Sequence, residues 1–249
     1  EDEQIEFVLF LGDFIYEGDG QPVDETRVRS HETSEPMDIE GYRTRYATYL
    51  GDAHLQSCRA SAPWIAIWDD HEVENNYAGL ISENDDDPAE FERRRTMAYQ
   101  VWWENMPTRL DRPDVGPFTI YRGVDVGDLV RISVLDGRQY RSDQVSNATL
   151  DTGPPAPGWD DPARTMLGAE QEAWIEERFA TSGAMWNCVA QQTILSDTRI
   201  GEGILNYDQW DGYAAGRDRL LAAAPANFIT ITGDIHLAGV GRVGPLDAP

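Results

Sequence analysis

The sequence predicts a mixed α/β protein, and three observations support that fold class. First, five short apolar runs rich in β-branched and aromatic residues are typical of buried strands; they cover residues 6–11, 63–68, 128–135, 186–195 and 227–232. Second, the longer stretches between them have helical character, at residues 38–61, 87–106, 168–182 and 209–224. Third, strands and helices alternate along the chain, as they do in α/β domains. Residues 152–161 are rich in proline and glycine and are predicted to form a loop.

The composition narrows the class of protein. With 249 residues and 41% apolar content, the chain is long enough to bury a substantial core, and it contains no run of about 18 apolar residues that would span a membrane. The net charge is −25, from 45 acidic and 20 basic residues, and every basic residue is arginine. Such a charge repels nucleic-acid phosphates and anionic lipid, so sequence-specific nucleic-acid binding is not expected. Most carboxylates are expected to form a solvated acidic coat.

Four of the five predicted strands are followed at once by polar residues of the kinds that bind metals and phosphate. They form the segments GDFIYE at 12–17, DDHEVENN at 69–76, DGRQYR at 136–141 and GDIH at 233–236. In open α/β sheets the binding crevice lies outside the carboxyl ends of the strands. We therefore expect these segments to build one functional site, with the apolar strands as its rigid supports.

The residue types in these segments predict a site for two metal ions. Carboxylate, imidazole and phenolate groups are ligands for hard or borderline cations. Asp13, on a Gly-Asp turn, has two carboxylate oxygens and is the candidate to bridge two ions about 4 Å apart. Tyr16, three residues further on, offers a phenolate oxygen, which suits trivalent iron. Asp234 and His236 are two residues apart and would point to the same side of an extended turn.

Two arginines and a pair of aspartates extend this prediction. Arg138 and Arg141 are candidates for substrate binding, because planar guanidinium groups grip phosphate oxygens. Asp69 and Asp70 are adjacent and would point to opposite faces of an extended chain, so only Asp70 is expected to be a metal ligand. Arginines beside a carboxylate cluster suggest an anionic substrate that is bridged by cations.

Two histidines are expected to lie outside the site. The segment GDAHL at 51–55 is almost identical to GDIHL at 233–237, but it follows a helical stretch instead of a strand. Asp52 and His54 are therefore predicted to mark a helix end. His31, in the polar segment VRSHETSE, is predicted to be an ordinary surface residue. The aromatic segment VWWENMP at 101–107 is predicted to belong to the core.

Six segments, in order along the chain, resemble the PhoD-like alkaline phosphatases, a family of metallophosphoesterases. They are LGDFIYE, YRTRYATYLGDAHLQ, PWIAIWDDHEVENN, LDGRQYR, QWDGYAAGRDRLL and ITGDIH. The resemblance implies a four-layer α/β/β/α sandwich around iron (Fe3+) and calcium. It also implies that a metal-bound hydroxide hydrolyses phosphate mono- or diesters, and that the full-length protein acts in the periplasm or is secreted.

The resemblance assigns the metal ligands residue by residue. Asp13 is implied as the bridging ligand, and Tyr16 and His236 as ligands of iron. Asp70 stands where most metallophosphatases have the asparagine of an Asn-His pair, and is implied as a ligand of the second metal together with Asp234.

The resemblance also implies which residues face the substrate. His71 takes the catalytic, phosphate-facing place, and Arg138 is implied as a phosphate contact, with Arg141 as a second substrate-binding arginine. Gln192 lies where other metallophosphatases carry a histidine ligand, so its role stays open. Asn75 and Asn76 either hold calcium or close the loop in which they lie.

The chain departs from the family at one ligand, a cysteine on an upstream strand. Cys58 and Cys188 do not lie in a matching context. The sequence therefore predicts a single metallophosphatase domain over residues 1–249 that is truncated at both ends, with the export signal outside this chain. On that basis calcium is expected to stabilise the 249-residue chain, while its phosphatase activity is expected to be low until the upstream strand is added.

Two other functions explain part of this pattern of residues. An acidic protein that holds calcium without catalysis would explain the charge, but not the arginine pair or the ligand-bearing ends of the strands. A glycosidase with paired carboxylates would leave Tyr16 and the final Asp-His pair without a role. The preference for monoesters or diesters, the metal identity and the oligomeric state are not determined by these residues.

Overall fold

The computed structural model describes residues 4–21, 23, 30–114, 118–148, 152–199 and 201–244. The chain divides into two compact units, Glu1–Thr119 and Ile120–Pro249. Both contain helices and parallel strands, so the predicted α/β class is confirmed. No helix in the described part of the chain has the length and apolar character needed to cross a bilayer.

The first unit contains a two-stranded parallel sheet. Strand β1 (Val8–Phe10) pairs with β2 (Trp64–Ala66), so that Val8 lies opposite Trp64 and Phe10 opposite Ala66. The helices of its described residues are α1 (Ile39–Leu50), α2 (Ala53–Ser61) and α3 (Pro88–Asn105). Because the strands are parallel, the segments that follow them leave from the same edge of the sheet.

Aromatic side chains form much of the core of this unit. Trp68, directly after β2, stacks on Tyr99 of α3 with ring centroids 3.9 Å apart. Trp102 meets the same indole edge-on at 5.2 Å. Trp102 is buried, as is Val101, which confirms that the aromatic segment of α3 belongs to the core. This packing fixes the segment between β2 and α3, which carries the residues of interest.

The helical stretch predicted at 38–61 is broken into two helices at Gly51 and Asp52. Asp52 is the N-cap of α2, and its side chain accepts a hydrogen bond of 2.8 Å from the backbone N–H of Leu55. An N-cap carboxylate satisfies one of the donors that a helix leaves open at its start. The prediction that GDAHL marks a helix end is therefore confirmed.

The second unit contains a four-stranded sheet in the order β3 (Arg122–Val126), β4 (Val130–Val134), β5 (Trp186–Ala190) and β6 (Phe228–Ile231). Strands β4, β5 and β6 are parallel, and β3 is antiparallel to β4. Its described helices are α4 (Gly168–Ala180), the short 3-10 helix Trp210–Tyr213 and α5 (Ala214–Ala223). Leu135, Ile175, Val189, Trp210 and Leu220 belong to its apolar core. Residues 152–161 form a loop, as predicted.

The sequence predicted five of the described strands, at somewhat greater lengths, but missed β3. In β3, Val124 and Val126 alternate with the exposed Gly123 and Asp125, which is a weak signal over five residues. The strand returns into β4 through a tight turn that begins at Gly127, whose φ is +56°. A Gly-Asp pair at a turn is a hairpin signal, and here it could have revealed the strand.

Candidate metal centre and its supporting residues

In the first unit the ends of β1 and β2 bring three potential metal ligands together. Asp13 follows β1, and Asp70 and His71 follow β2. Each offers one ligand atom, and the three atoms lie within 4.8 Å of one another. Asp70 is almost fully buried. Two carboxylates and an imidazole at this spacing fit a cation, because each provides an oxygen or nitrogen lone pair and the carboxylates provide charge.

Asp69 also contributes a carboxylate to this edge of the sheet. Carboxylate oxygens of Asp13, Asp69 and Asp70 lie within 4.8 Å of one another. The expectation that Asp69 and Asp70 point to opposite faces is therefore wrong. Its premise was an extended chain, whereas β2 ends at Ala66 and a turn begins after Asp70. Alternation applies only while the chain stays extended.

The turn that carries Asp13 has an unusual backbone. Asp13 itself has a φ of +58°, and Gly12 before it has a φ of +112°. A Cβ atom on Gly12 would lie 2.5 Å from the Cβ of Asp69, so only glycine permits the loops after β1 and β2 to approach this closely. Left-handed backbone at a non-glycine residue is uncommon and concentrates at functional sites.

Glu72 joins the two loops and was missed by the sequence analysis. Its carboxylate accepts hydrogen bonds from the backbone N–H groups of Asp13 at 3.1 Å, Phe14 at 2.5 Å and Asp69 at 2.7 Å. The side chain is fully buried. Burial raises the pKa of Glu72 to about 7, with a contribution from the charge of Asp70, although the three N–H donors act in the opposite direction. Glu72 thus fixes the positions of Asp13 and Asp69 through the backbone.

His71 is held by a second buried glutamate, Glu17, which was also missed. His71 Nδ1 lies 2.6 Å from Glu17 Oε2, and Glu17 Oε1 accepts a hydrogen bond of 2.8 Å from the N–H of Asn75. Burial by itself would lower the pKa of His71, but the hydrogen bond to Glu17 and the charges of Asp70, Glu17 and Asp13 raise it to about 9. Because Nδ1 is engaged, Nε2 is the ring nitrogen left for a phosphate or a cation.

Tyr16 lies against both of these groups. Its ring centroid is 4.3 Å from that of His71, and its hydroxyl is 3.4 Å from Asp13 Oδ2. Burial, followed by the charge of Asp13, raises the pKa of Tyr16 well above its usual value. Ionisation of the phenol would therefore need a compensating positive charge, which a cation supplies.

Helix α1 binds the loop that contains Tyr16 through both N–H and carbonyl groups of its backbone. Tyr49 Oη accepts a hydrogen bond of 3.1 Å from the N–H of Tyr16. Arg45 donates to the carbonyl oxygens of Tyr16 and Gly18, the latter at 2.9 Å. Arg45 and Tyr49 are four residues apart and thus share one face of the helix. This explains the role of the segment YRTRYATYL, which the sequence analysis associated with the family without giving it a function.

The two asparagines close the loop after β2. The N–H of Asn76 donates to Asp70 Oδ2 at 2.7 Å, from a residue with a φ of +53°. Asn75 donates from its side chain to Glu83 at 2.6 Å. Of the two roles left open, loop closure is the one supported by these contacts.

In the second unit, Arg138 and Arg141 converge on Asp208. Arg138 forms a two-pronged ion pair with Asp208, at 2.7 and 2.8 Å, and Arg141 Nη1 lies 2.5 Å from Asp208 Oδ1. All three side chains are buried. Burial of Asp208 would raise its pKa, but the charges of the two arginines hold it far below the usual range. Asp208, another residue missed from sequence, therefore keeps both guanidinium groups in place.

The remaining predicted residues follow β5 and β6 in this unit. Gln192 donates to the carbonyl of Leu135 at 3.0 Å and accepts from the N–H of Gly137 at 3.2 Å, so it ties the ends of β4 and β5 together. Asp234 accepts a hydrogen bond from Gln209 and lies 3.9 Å from Arg138. Asp234 and His236 have φ values of +65° and +58°. The backbone there is left-handed, so the argument from an extended turn does not apply to them.

Comparison with known proteins identifies the family of the chain. The family model of the PhoD-like phosphatases matches residues 1–247. Alkaline phosphatase D of Bacillus subtilis (strain 168) is 40% identical over 244 residues, which cover 94% of this chain and 42% of that protein. A solved structure of PhoD is similar with a TM-score of 0.86 and 39% identity, over 94% of this chain and 47% of the other. The chain thus spans less than half the length of these relatives. It belongs to the PhoD-like phosphatase family.

Proposed function

We propose that this chain carries the catalytic residues of an exported, metal-dependent phosphoesterase that hydrolyses phosphate mono- or diesters. The observation that carries the proposal is the cluster of Asp13, Asp70 and His71, whose ligand atoms lie within 4.8 Å of one another. Family membership supports it, since the similar protein of Bacillus subtilis is an alkaline phosphatase. The metals proposed are iron and calcium, in line with the resemblance described above.

The ligand roles proposed follow the same resemblance. Asp13 would contribute to both metal sites, Tyr16 and His236 would complete the site for iron, and Asp70 and Asp234 would hold calcium. The donor chemistry is appropriate, because carboxylate oxygens suffice for calcium whereas a phenolate favours iron. When bound, the cations lower the pKa of water and neutralise charge on phosphate oxygens. The contribution of the chain is to hold the carboxylates at a fixed spacing, through Glu72 and Gly12.

His71 is proposed to face the phosphate and to donate a proton to the leaving oxygen. Glu17 keeps Nδ1 occupied at 2.6 Å, which leaves Nε2 as the donor atom. In the chain without bound cations, the hydrogen bond to Glu17 and the charges of Asp70, Glu17 and Asp13 outweigh burial and raise the pKa of His71 to about 9, which favours the protonated imidazole. A general acid with a pKa near the working pH is efficient, because it is both protonated and able to release its proton.

Arg138 and Arg141 are proposed to stabilise negative charge on the substrate. Their burial and their ion pairs with Asp208 also suit a supporting role, and the two roles predict different outcomes. Arg138→Lys should lose stability in either case, because a lysine cannot replace the buried bidentate pair with Asp208. If Arg138 also contacts phosphate, the variant should raise KM in addition; if Arg138 only supports the fold, KM of the folded enzyme should stay unchanged.

The proposal is tested by metal binding and by phosphate release, with Asp13→Asn as the variant. Calcium binding is measured by calorimetry on the 249-residue chain. Phosphate release from a monoester and a diester is measured with iron and calcium, on this chain and on a form extended upstream. We expect Asp13→Asn to remove most of the metal and most of the activity while the fold is kept, because a bridging carboxylate contacts both ions.

Asp52→Asn is the matched control, since Asp52 caps α2 and also lies in a Gly-Asp pair. It should bind calcium as the parent does. Calcium binding without phosphate release in either form of the chain would instead favour the acidic calcium-binding protein. Unchanged metal content and activity in Asp13→Asn would overturn the ligand assignment.

A further inference from the structure

A cavity of about 390 Å3 lies beside His71 in the first unit. Its volume is within the range of small-molecule sites. Four rings and two carboxylates contribute to its lining: Tyr16, His31, Tyr49, His71, Glu17 and Asp19. No arginine is among the described residues that line it.

The rings are held in position by contacts within the unit. The centroids of Tyr16 and His71 are 4.3 Å apart, and those of His31 and Tyr49 are 5.6 Å apart. His31 Nδ1 lies 3.0 Å from the carbonyl oxygen of Gly18, and its Nε2 lies 3.0 Å from Tyr49 Oη. His31 is thus a fixed, half-buried part of the cavity wall and not the ordinary surface residue that the sequence suggested.

We propose that this cavity binds the alcohol part of the phosphate ester and selects a planar ring that carries no negative charge. The inference rests on the proposed function, in which His71 faces the leaving oxygen. A group in the cavity would then be attached to the oxygen that receives the proton. Aromatic side chains in the wall favour a planar ring over an alkyl chain, because aromatic pairs gain from offset-stacked or edge-on contact. The carboxylate of Asp19 disfavours an anionic substituent and favours a cationic one, whereas the charge of Glu17 is compensated by His71.

Esters with alcohols of similar acidity separate ring binding from leaving-group reactivity. We compare benzyl phosphate with ethyl phosphate, and use 4-carboxybenzyl phosphate as the anionic ring, with the enzyme supplied with iron and calcium. The ratio of kcat/KM for benzyl over ethyl phosphate should be about three to ten, which corresponds to one aromatic contact. The carboxybenzyl ester should lose that advantage. Equal kcat/KM values for ethyl and benzyl phosphate would overturn the proposal.

Two variants link the preference to the cavity wall. His31→Ala should reduce the benzyl-to-ethyl ratio towards one, whereas His54→Ala, on the exposed side of α2, should keep it. Asp19→Asn should raise kcat/KM for the carboxybenzyl ester relative to the benzyl ester. A ratio that survives His31→Ala, or that both histidine variants remove equally, would place the preference elsewhere and overturn the assignment.

A binding measurement keeps this inference separate from the proposed function. Benzylphosphonate and ethylphosphonate cannot be hydrolysed, so their affinities, measured by calorimetry, do not require turnover. Tighter binding of benzylphosphonate, lost in His31→Ala, supports the cavity even if no ester is hydrolysed, in which case only the proposed function fails. Turnover without any difference between the two phosphonates would overturn the cavity and leave the phosphoesterase intact.

Discussion

Four carboxylates around the candidate metal centre divide into two groups by what their oxygens contact. Glu72 accepts three backbone N–H bonds and Glu17 accepts from Asn75 while it pairs with His71, so both act on the positions of other groups. Asp13 and Asp70, in contrast, present oxygens to one another and to His71 at ligand spacing. A metal site needs both groups, because ligands work only when their supports are fixed.

Substitution of His71 separates proton donation from metal binding. His71→Ala should retain its metals and lose about a hundredfold or more in kcat, if the imidazole acts as a proton donor in the transition state. Metal analysis and steady-state kinetics on the same sample give both quantities. Loss of metal in this variant would mean that His71 is a ligand, as the spacing of one of its ring nitrogens to carboxylate oxygens of Asp13 and Asp70 also allows.

A second prediction at this scale is a pH dependence of stability. The pKa of His71 is about 9 in the folded protein, against an ordinary value of 6.5. Its protonation therefore adds stability that is fully present below pH 6.5 and is lost as the pH rises through 9. With a chelator present, the free energy of unfolding should fall between these values in the parent chain and change much less in His71→Ala. A parallel pH dependence in both would contradict the Glu17–His71 pair as its source.

At the scale of elements, α1 and α2 have different tasks although they are neighbours in sequence. Arg45 and Tyr49 of α1 bind the backbone around Tyr16. Asp52, the cap of α2, accepts a hydrogen bond from the first turn of the helix that it starts. A change in α1 should therefore reach the metal centre, and a change in the cap of α2 should not.

Tyr49→Phe and Asp52→Ala form a matched pair for this expectation. Each removes one hydrogen bond to a backbone N–H, and Tyr49→Phe also removes the contact of Tyr49 Oη with His31 Nε2. We expect each variant to lose roughly 1–2 kcal/mol in the free energy of unfolding. Only Tyr49→Phe should weaken metal binding, because it releases the N–H of Tyr16. Chemical denaturation and calorimetric titration with metal measure the two effects. Equal metal affinity in both variants would show that α1 does not position Tyr16.

At the scale of the molecule, the main feature is the net charge of −25 without any lysine. Several arginines, among them Arg45, Arg94, Arg138 and Arg141, are buried. Their guanidinium groups donate to carbonyl oxygens and carboxylates inside the units. They therefore do little to offset the negative charge of the surface. Self-repulsion of that surface should oppose folding at low ionic strength.

Salt should therefore stabilise this protein. Raising sodium chloride from about 0.1 M to about 1 M shortens the Debye length from about 10 Å to about 3 Å and screens repulsion between surface carboxylates. We expect Tm to rise by several degrees, with a chelator present so that divalent cations do not contribute. Sucrose at matched osmolality is the control, since it does not screen charge. A fall in Tm with salt would contradict the role assigned to surface repulsion.

Local patterns in the sequence show which strands carry polar residues at their ends and which chemical groups those residues offer. That information is local, because an apolar run followed by Gly-Asp or Asp-Asp-His is visible within about ten residues. The decision between strand and helix for the two Gly-Asp-x-His segments was correct for the same reason. Strand β3 was not predicted, because five residues with two valines give too little hydrophobic periodicity.

The contacts that position these side chains appear only in the folded protein, because their partners are far apart in sequence. Glu17 and His71 are 54 residues apart, Asp13 and Glu72 are 59 apart, and Arg138 and Asp208 are 70 apart. A buried carboxylate is stable only where folding brings N–H donors or cations to it, and those donors come from distant segments. Glu17 and Glu72 lie within the polar segments that follow β1 and β2, but nothing in those segments separates a supporting carboxylate from a metal ligand, and Asp208 looks like any of the 45 acidic residues. Their burial and their partners distinguish them, and both follow from packing between elements, which no local pattern encodes.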